Sequence, residues 1–286
     1  MSELYKVQGK GIEQGQNNYV VARKEEVIIT SENLSQVIQE LIDQEHSEEF
    51  WNTLAERHKD FALRLAESQI QRERMSVIDQ FEKDMVIYGD DEGHWQRFFE
   101  EHPWILQSAF SFTTFQLRGE TCLGGKNCVG RNGQGGVATD FLFQDESTQS
   151  FAVIDIKTPA TGLMAGSAYR GKKDAQNTNL VFAASNALSG GVIQVRKQIA
   201  TAIDNFDHQL YRDFSSYHLN RVHPRGVLVI GCYDSLKDEQ QKESFNLFRR
   251  GLFGLTVITF DELLRRLKQL YCIDKVDNSM TRQSKR

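Results

Sequence analysis

No stretch of the chain stays apolar for the roughly 20 residues that a membrane span requires, and its start lacks the basic, apolar and small-residue order of a signal peptide. A cytoplasmic protein with no membrane partner is expected. The four cysteines, Cys122, Cys128, Cys232 and Cys272, are scattered and form no Cys-x-x-Cys, which argues against a disulfide framework and an ordinary zinc knuckle. There is no Gly-x-Ser-x-Gly, and no histidine is organised to serve a serine or cysteine nucleophile. Prolines number only three beside a hydrophobic fraction of 40%, a balance that suits a folded chain. At 286 residues it can hold one large domain, or a domain with a smaller appendage.

Glycine is plentiful in one place. Residues 124–136 carry six of the 21 glycines, but no Gly-x-x-x-x-Gly-Lys-[Ser/Thr] aligns there and no helix is expected to follow, so a phosphate-cradling nucleotide loop is not indicated. The plain reading is a flexible loop; the functional one has Lys126 and Arg131 touching a nucleic-acid backbone. Charge is uneven as well. The formal net charge is -5, yet residues 31–101 hold 18 acidic and 7 basic side chains, whereas residues 221–286 hold 8 acidic and 13 basic. Contact with phosphate is therefore expected on the C-terminal two-thirds, and the acidic segment is expected to regulate, oligomerise or mimic a polyanion.

The stretch from Val137 to Lys157 organises the chain. Two apolar runs, Val137 to Phe143 and Phe151 to Lys157, flank a polar segment rich in Ser, Thr, Asp and Gln, which predicts a β-hairpin. Asp140 interrupts the first run. Asp155 and Lys157 close the second, two residues apart, so strand alternation sends both side chains to one face. Charged groups in a sheet are costly unless they are paired or bind something. One reading is an Asp155–Lys157 ion pair on a solvated face. The other is a phosphodiesterase site in which Asp140 and Asp155 hold Mg²⁺ and Lys157 orients water or steadies the charged phosphorane.

Around that stretch the pattern predicts a small hairpin near Tyr19–Thr30, then helices with apolar positions from Leu34 to Ile42 and from Phe50 to Phe81 on a charged background. These make an N-terminal, mainly helical appendage over residues 1–87. The composition changes at Tyr88-Gly-Asp-Asp-Glu-Gly, and a core domain is expected over 88–275 with a polar tail at 276–286. Within it, Trp95, Phe98 and Phe99 mark a helix capped by Asp90 or Asp91, with Glu92 in its first turn and an end before Pro103. Arg170, Lys172 and Lys173 fall in an expected loop past the reactive strand, either solvated or positioning phosphate. A helix opening at Ser189 carries Gln194. An apolar strand from Arg225, a helix over Asp238–Arg250, a strand at Leu255–Phe260 and a closing helix complete an α/β pattern.

The ordered set of early helix Glu, strand Asp, Asp-x-Lys and helix Gln resembles the PD-(D/E)XK nuclease superfamily. More narrowly, Trp95-Gln-Arg-Phe-Phe-Glu-Glu-His-Pro-Trp, Thr139-Asp-Phe with Val153-Ile-Asp-Ile-Lys-Thr-Pro, and Ser189-Gly-Gly-Val-Ile-Gln-Val resemble the Shedu anti-phage nucleases over roughly residues 88–270. The resemblance implies a restriction-endonuclease-like α/β core and a metal-dependent DNA endonuclease of antiviral defence. Asp140 and Asp155, together with Glu92, would be metal ligands, Lys157 the catalytic lysine and Gln194 the motif glutamine. Glu92 matches the helix carboxylate by position, with Glu100 and Glu101 as alternatives. Mg²⁺ or Mn²⁺, DNA as partner, homotetramers and a phage-derived trigger are further implications. Many relatives carry Glu where Asp155 stands, a shorter reach that bears on metal spacing. The competing expectation is a non-catalytic module that keeps the fold and binds nucleic acid or a phage component.

Overall fold

The computed structural model describes residues 20–21, 28–29, 52, 59–123, 137–171 and 180–271. Contacts within the chain divide it into Met1–Glu73 and Arg74–Arg286. In the first unit, β1 (Val20–Val21) pairs antiparallel with β2 (Ile28–Ile29), the small hairpin expected there. The helix expected over Leu34–Ile42, the glycine-rich segment with Lys126 and Arg131, and Lys172 and Lys173 lie outside the described residues. Among the described residues no helix is long and apolar enough to cross a membrane.

The second unit is a mixed α/β fold. Its elements begin with the C-terminal part of α1 (Lys59–Ile87), then α2 (Glu92–Glu101) and α3 (Pro103–Gln107). Strands follow as β3 (Thr114–Arg118), β4 (Thr121–Leu123), β5 (Val137–Thr139), β6 (Phe141–Asp145), β7 (Ser150–Ile156), β8 (Met164–Arg170) and β9 (Val181–Ala184). The chain continues through α4 (Asn186–Asp204), β10 (Asn220–Val229), α5 (Glu239–Arg250), β11 (Leu255–Ile258) and α6 (Phe260–Tyr271). The main sheet has the order β11-β10-β7-β6-β3, with β10 parallel to both β7 and β11, and β6 antiparallel to β7 and β3.

Side-chain alternation along these strands feeds two cores. On one face Phe141, Phe143, Ile154, Ile156, Val227 and Val229 join Ile78 and Phe81 of α1, Trp95 and Phe99 of α2, and Phe260 of α6. Rings pack edge-on at this junction, with Phe81 and Trp95 centroids 5.3 Å apart and Trp95 and Phe260 4.9 Å apart. On the other face Leu142, Phe151, Val153 and Leu228 meet Leu188, Val192 and Val195 of α4 and Phe245 of α5. Residue 155 shares the parity of 151 and 153, so β7 turns its one aspartate toward α4.

Three local expectations change. The run from Val137 to Phe143 is two strands, because β5 pairs with β4 whereas β6 pairs with β3 and β7, and Asp140 sits at the break. Tyr169 and Arg170 end a strand, since β8 pairs with β9. The glutamine helix opens before Ser189: its cap is Ser185, whose hydroxyl accepts from Leu188 N at 2.9 Å. Pro103 does stop α2, and then serves as the first residue of α3, where its missing N–H costs nothing.

Candidate active site

β7 is flanked by β6 and β10, and its C-terminal end is where the charged groups gather. Thr139, fully buried, donates its hydroxyl to Ile154 O at 3.1 Å and so fixes the end of β5 against β7. Asp140 follows at the strand break, where its Oδ2 accepts from Ile156 N at 2.7 Å. The first carboxylate is therefore anchored to the backbone between Asp155 and Lys157. Beyond the strand, Lys157 N donates to Val229 O at 2.8 Å, so the lysine leaves from a fixed backbone.

Asp155 is only 1% exposed. Its Oδ1 accepts from two amides of α4, Gln194 Nε2 at 2.7 Å and Gln198 Nε2 at 2.9 Å. Its Oδ2 faces Lys157 Nζ at 2.7 Å, and the same ammonium lies 3.4 Å from Glu92 Oε1. Close helix packing makes this reach possible. A Cβ on Gly226 of β10 would lie 2.5 Å from Val195 Cγ1, so only glycine lets α4 settle this near the sheet.

Glu92 is delivered by the opposite layer. Asp91 caps α2 by accepting from His94 N at 2.9 Å, placing Glu92 in the first turn. His94 in turn lies 3.0 Å from Asp84 Oδ2 of α1, and the Trp95 indole donates to Tyr88 O at 2.9 Å. Ala160 N donates to Gly89 O at 2.8 Å, tying this turn to the segment after Lys157. Glu100 is occupied elsewhere, accepting from Gln96 Nε2 at 3.0 Å.

The electrostatics follow from crowding two carboxylates in a poorly solvated place. Burial and then the charge of Asp155 push Asp140 up to about 7. Burial also raises Asp155, against the pull of Lys157 and the amide of Gln198. Burial alone would lower Lys157, but Asp155, Glu92 and Asp140 outweigh it and hold the ammonium charged. The site thus demands positive charge, and one lysine supplies part of it. Asp140 and Asp155 are hard oxygen donors suited to Mg²⁺ or Mn²⁺. Among the described residues no group of three or more His, Cys, Asp and Glu is placed to hold a metal ion, and Glu92 lies against the Lys157 ammonium.

Of the residues singled out in the sequence, Asp140, Asp155, Lys157, Gln194 and Glu92 are thereby brought together. Arg170 ends β8 as an exposed side chain. Gln198 was missed. It is fully buried and bridges Asp155 to Ala138 O at 2.7 Å, so it joins the two acidic segments. Its signal was present: a polar residue on the stripe Val195, Gln198, Ala202 that faces the core.

The family model described as Shedu protein SduA, C-terminal, matches residues 89–264, more than half of the chain. The chain belongs to the Shedu family. Among curated proteins, Shedu protein SduA of Bacillus cereus (strain B4264) is 33% identical over 182 residues. That alignment covers 63% of this chain and 45% of the relative, so the chain matches less than half of the relative's length. Residues 89–264, matched by the family model, contain every member of the charged cluster at the end of β7.

Proposed function

We propose that the chain is a metal-dependent DNA endonuclease of bacterial anti-phage defence, built on a PD-(D/E)XK core and acting in the cytoplasm. The observation that carries this reading is the convergence of Asp140, Asp155 and Lys157 at one strand end, where burial first and then the charge of Asp155 push Asp140 up to about 7. Two buried carboxylates in mutual repulsion are an arrangement that a divalent cation relieves. Asp140 and Asp155 would hold Mg²⁺ or Mn²⁺, with Glu92 at the rim of the site. The ion would supply Lewis acidity toward the scissile phosphate and lower the pKa of bound water.

The protein's own groups have separate tasks. Gln194 and Gln198 fix the Asp155 carboxylate so that its orientation is set before substrate arrives. Ile156 N does the same for Asp140. Lys157, charged and tethered between Asp155 and Glu92, would exchange one of these contacts for a phosphate oxygen or the attacking water, and stabilise the negative charge that develops. Arg170 would contact the backbone of DNA outside the centre, as would Lys126, Arg131, Lys172 and Lys173. The acidic N-terminal region would regulate or assemble the enzyme, as a homotetramer, with a phage component as trigger.

The competing reading is a binding or sensing module that has kept the fold. The ion pairing of Lys157 with both Asp155 and Glu92 favours it, because the same contacts serve a purely structural role. Plating of phage on cells that express wild type or Lys157→Ala separates the two. A nuclease loses protection with Lys157→Ala while the protein remains folded and present at wild-type levels. Full protection by that variant refutes the catalytic reading.

A further inference from the structure

Among the described residues the main sheet ends in an open edge at β11. Among them β11 pairs with β10 alone, where Gly226 N and Ile230 N donate to the carbonyls of Gly254 and Ile258. Strand alternation then turns the N–H and C=O of Leu255 and Val257 outward, where no described residue bonds them. Beside the edge is a cavity of about 560 Å³ whose polar wall includes Arg249, Arg250, Arg265 and Arg266. Glu262 holds Arg249 at 2.8 Å and Asp261 holds Arg265 at 2.7 Å, so two of the four charges are offset. Arg266 donates to Ser108 O at 3.1 Å and has no ion pair among the described residues. Arg250 is exposed and has no ion pair among the described residues.

The loop entering β11 carries apolar surface, with Phe253 91% exposed just before the strand. Bare strand groups, a surplus of arginine and a solvated apolar side chain thus occur together, in a chain whose formal net charge is -5. Short, charged edges protect sheets from unwanted pairing, and the same features select a strand of opposite charge.

We propose that the β11 edge is a docking site for an extended acidic segment of a partner protein, which adds as a strand beyond β11. Main-chain bonds to Leu255 and Val257 provide affinity, Arg250 and Arg266 select acidic side chains, and Phe253 covers an apolar one. A nucleic-acid backbone fits less well, since phosphates cannot donate to the two outward carbonyls. A second copy of this edge would set arginine against arginine. The proposal stands independently of the nuclease reading.

The test uses the full chain and a labelled peptide that alternates Glu and Val, followed by fluorescence anisotropy at low and high salt. Controls are the same peptide with Lys for Glu, one with prolines at alternate positions, and a short single-stranded DNA. Binding of the Glu/Val peptide alone is expected, weakened by about tenfold or more in Arg250→Glu and in Phe253→Ser. Hydrogen exchange should slow at Leu255 and Val257 when that peptide is bound. Overturning results are no binding, binding unchanged in Arg250→Glu, or preference for DNA at this edge. Self-association that Arg250→Glu abolishes, without peptide binding, would equally overturn it in favour of a second copy.

Discussion

Replacing Asp140 by Asn should stabilise the metal-free protein at alkaline pH. The Asn carbonyl can still accept from Ile156 N, so the substitution removes charge while keeping the hydrogen bond that Asp140 makes at 2.7 Å. In the folded chain the Asp140 carboxyl is raised from 3.8 to about 7. Between those values the folded state binds a proton that the unfolded chain releases, so stability falls as pH rises through the window and the loss is complete above pH 7. A shift of that size corresponds to a ceiling of about 4 kcal/mol, and partial solvation and the coupling to Asp155 reduce it to about 2 kcal/mol. The melting temperature of Asp140→Asn at pH 8 should therefore exceed that of wild type by about 4–8 °C. The gap should narrow steadily as pH falls toward 4. Adding Mg²⁺ should raise the wild type and leave Asp140→Asn nearly unmoved. Calorimetry with chelator present is the assay, and an Asn variant no more stable than wild type at pH 8 would refute the reasoning.

Gln198→Ala removes one amide from Asp155 and strands the Ala138 carbonyl, at a cost of about 1–3 kcal/mol in urea unfolding. Its kcat for DNA cleavage should drop about 10–100-fold with KM little changed, the pattern of a positioning residue. Gly226→Ala would put a methyl 2.5 Å from Val195 Cγ1 and 3.1 Å from Ile199 Cδ1. Denaturant melts should show about 1–3 kcal/mol of destabilisation, with activity falling because α4 carries Gln194 and Gln198 away from Asp155. Asp261 accepts from Tyr233 N, Asp234 N, Thr259 and Arg265, which outweigh burial and hold its carboxyl below the usual 3.8. Its contribution is present above pH 3.8 and is lost as pH falls through the depressed value, so acid titration of Asp261→Asn should show a flatter loss of stability than wild type.

Much of the site could be read from residue order because strand chemistry is local. Period-two alternation alone put Asp155 and Lys157 on one face, and the continuous apolar run from Gly226 to Ile230 marked a strand with neighbours on both sides. Asp91 as a cap and Glu92 in the first turn follow from the same short-range logic. What escaped depends on tertiary pairing. The break at Asp140 is hidden because Val137 to Phe143 reads as one apolar run, and only the separate partners of β5 and β6 divide it. β8 and β9 are poor in large β-branched residues on the β8 side, so the Met164–Arg170 segment resembles a loop until it pairs. Gln198 belongs to no motif of its own, and its role emerges only once α4 lays its buried face against β7 and brings the amide to Asp155.

The most direct test of the central claim is cleavage of plasmid, linear duplex and single-stranded DNA by purified protein with Mg²⁺, Mn²⁺ or EDTA, run beside Asp155→Ala and Lys157→Ala. The account predicts products with either metal, none in EDTA, and none from either folded variant. Absence of cleavage under every condition, with both variants still protecting cells from phage, would contradict it.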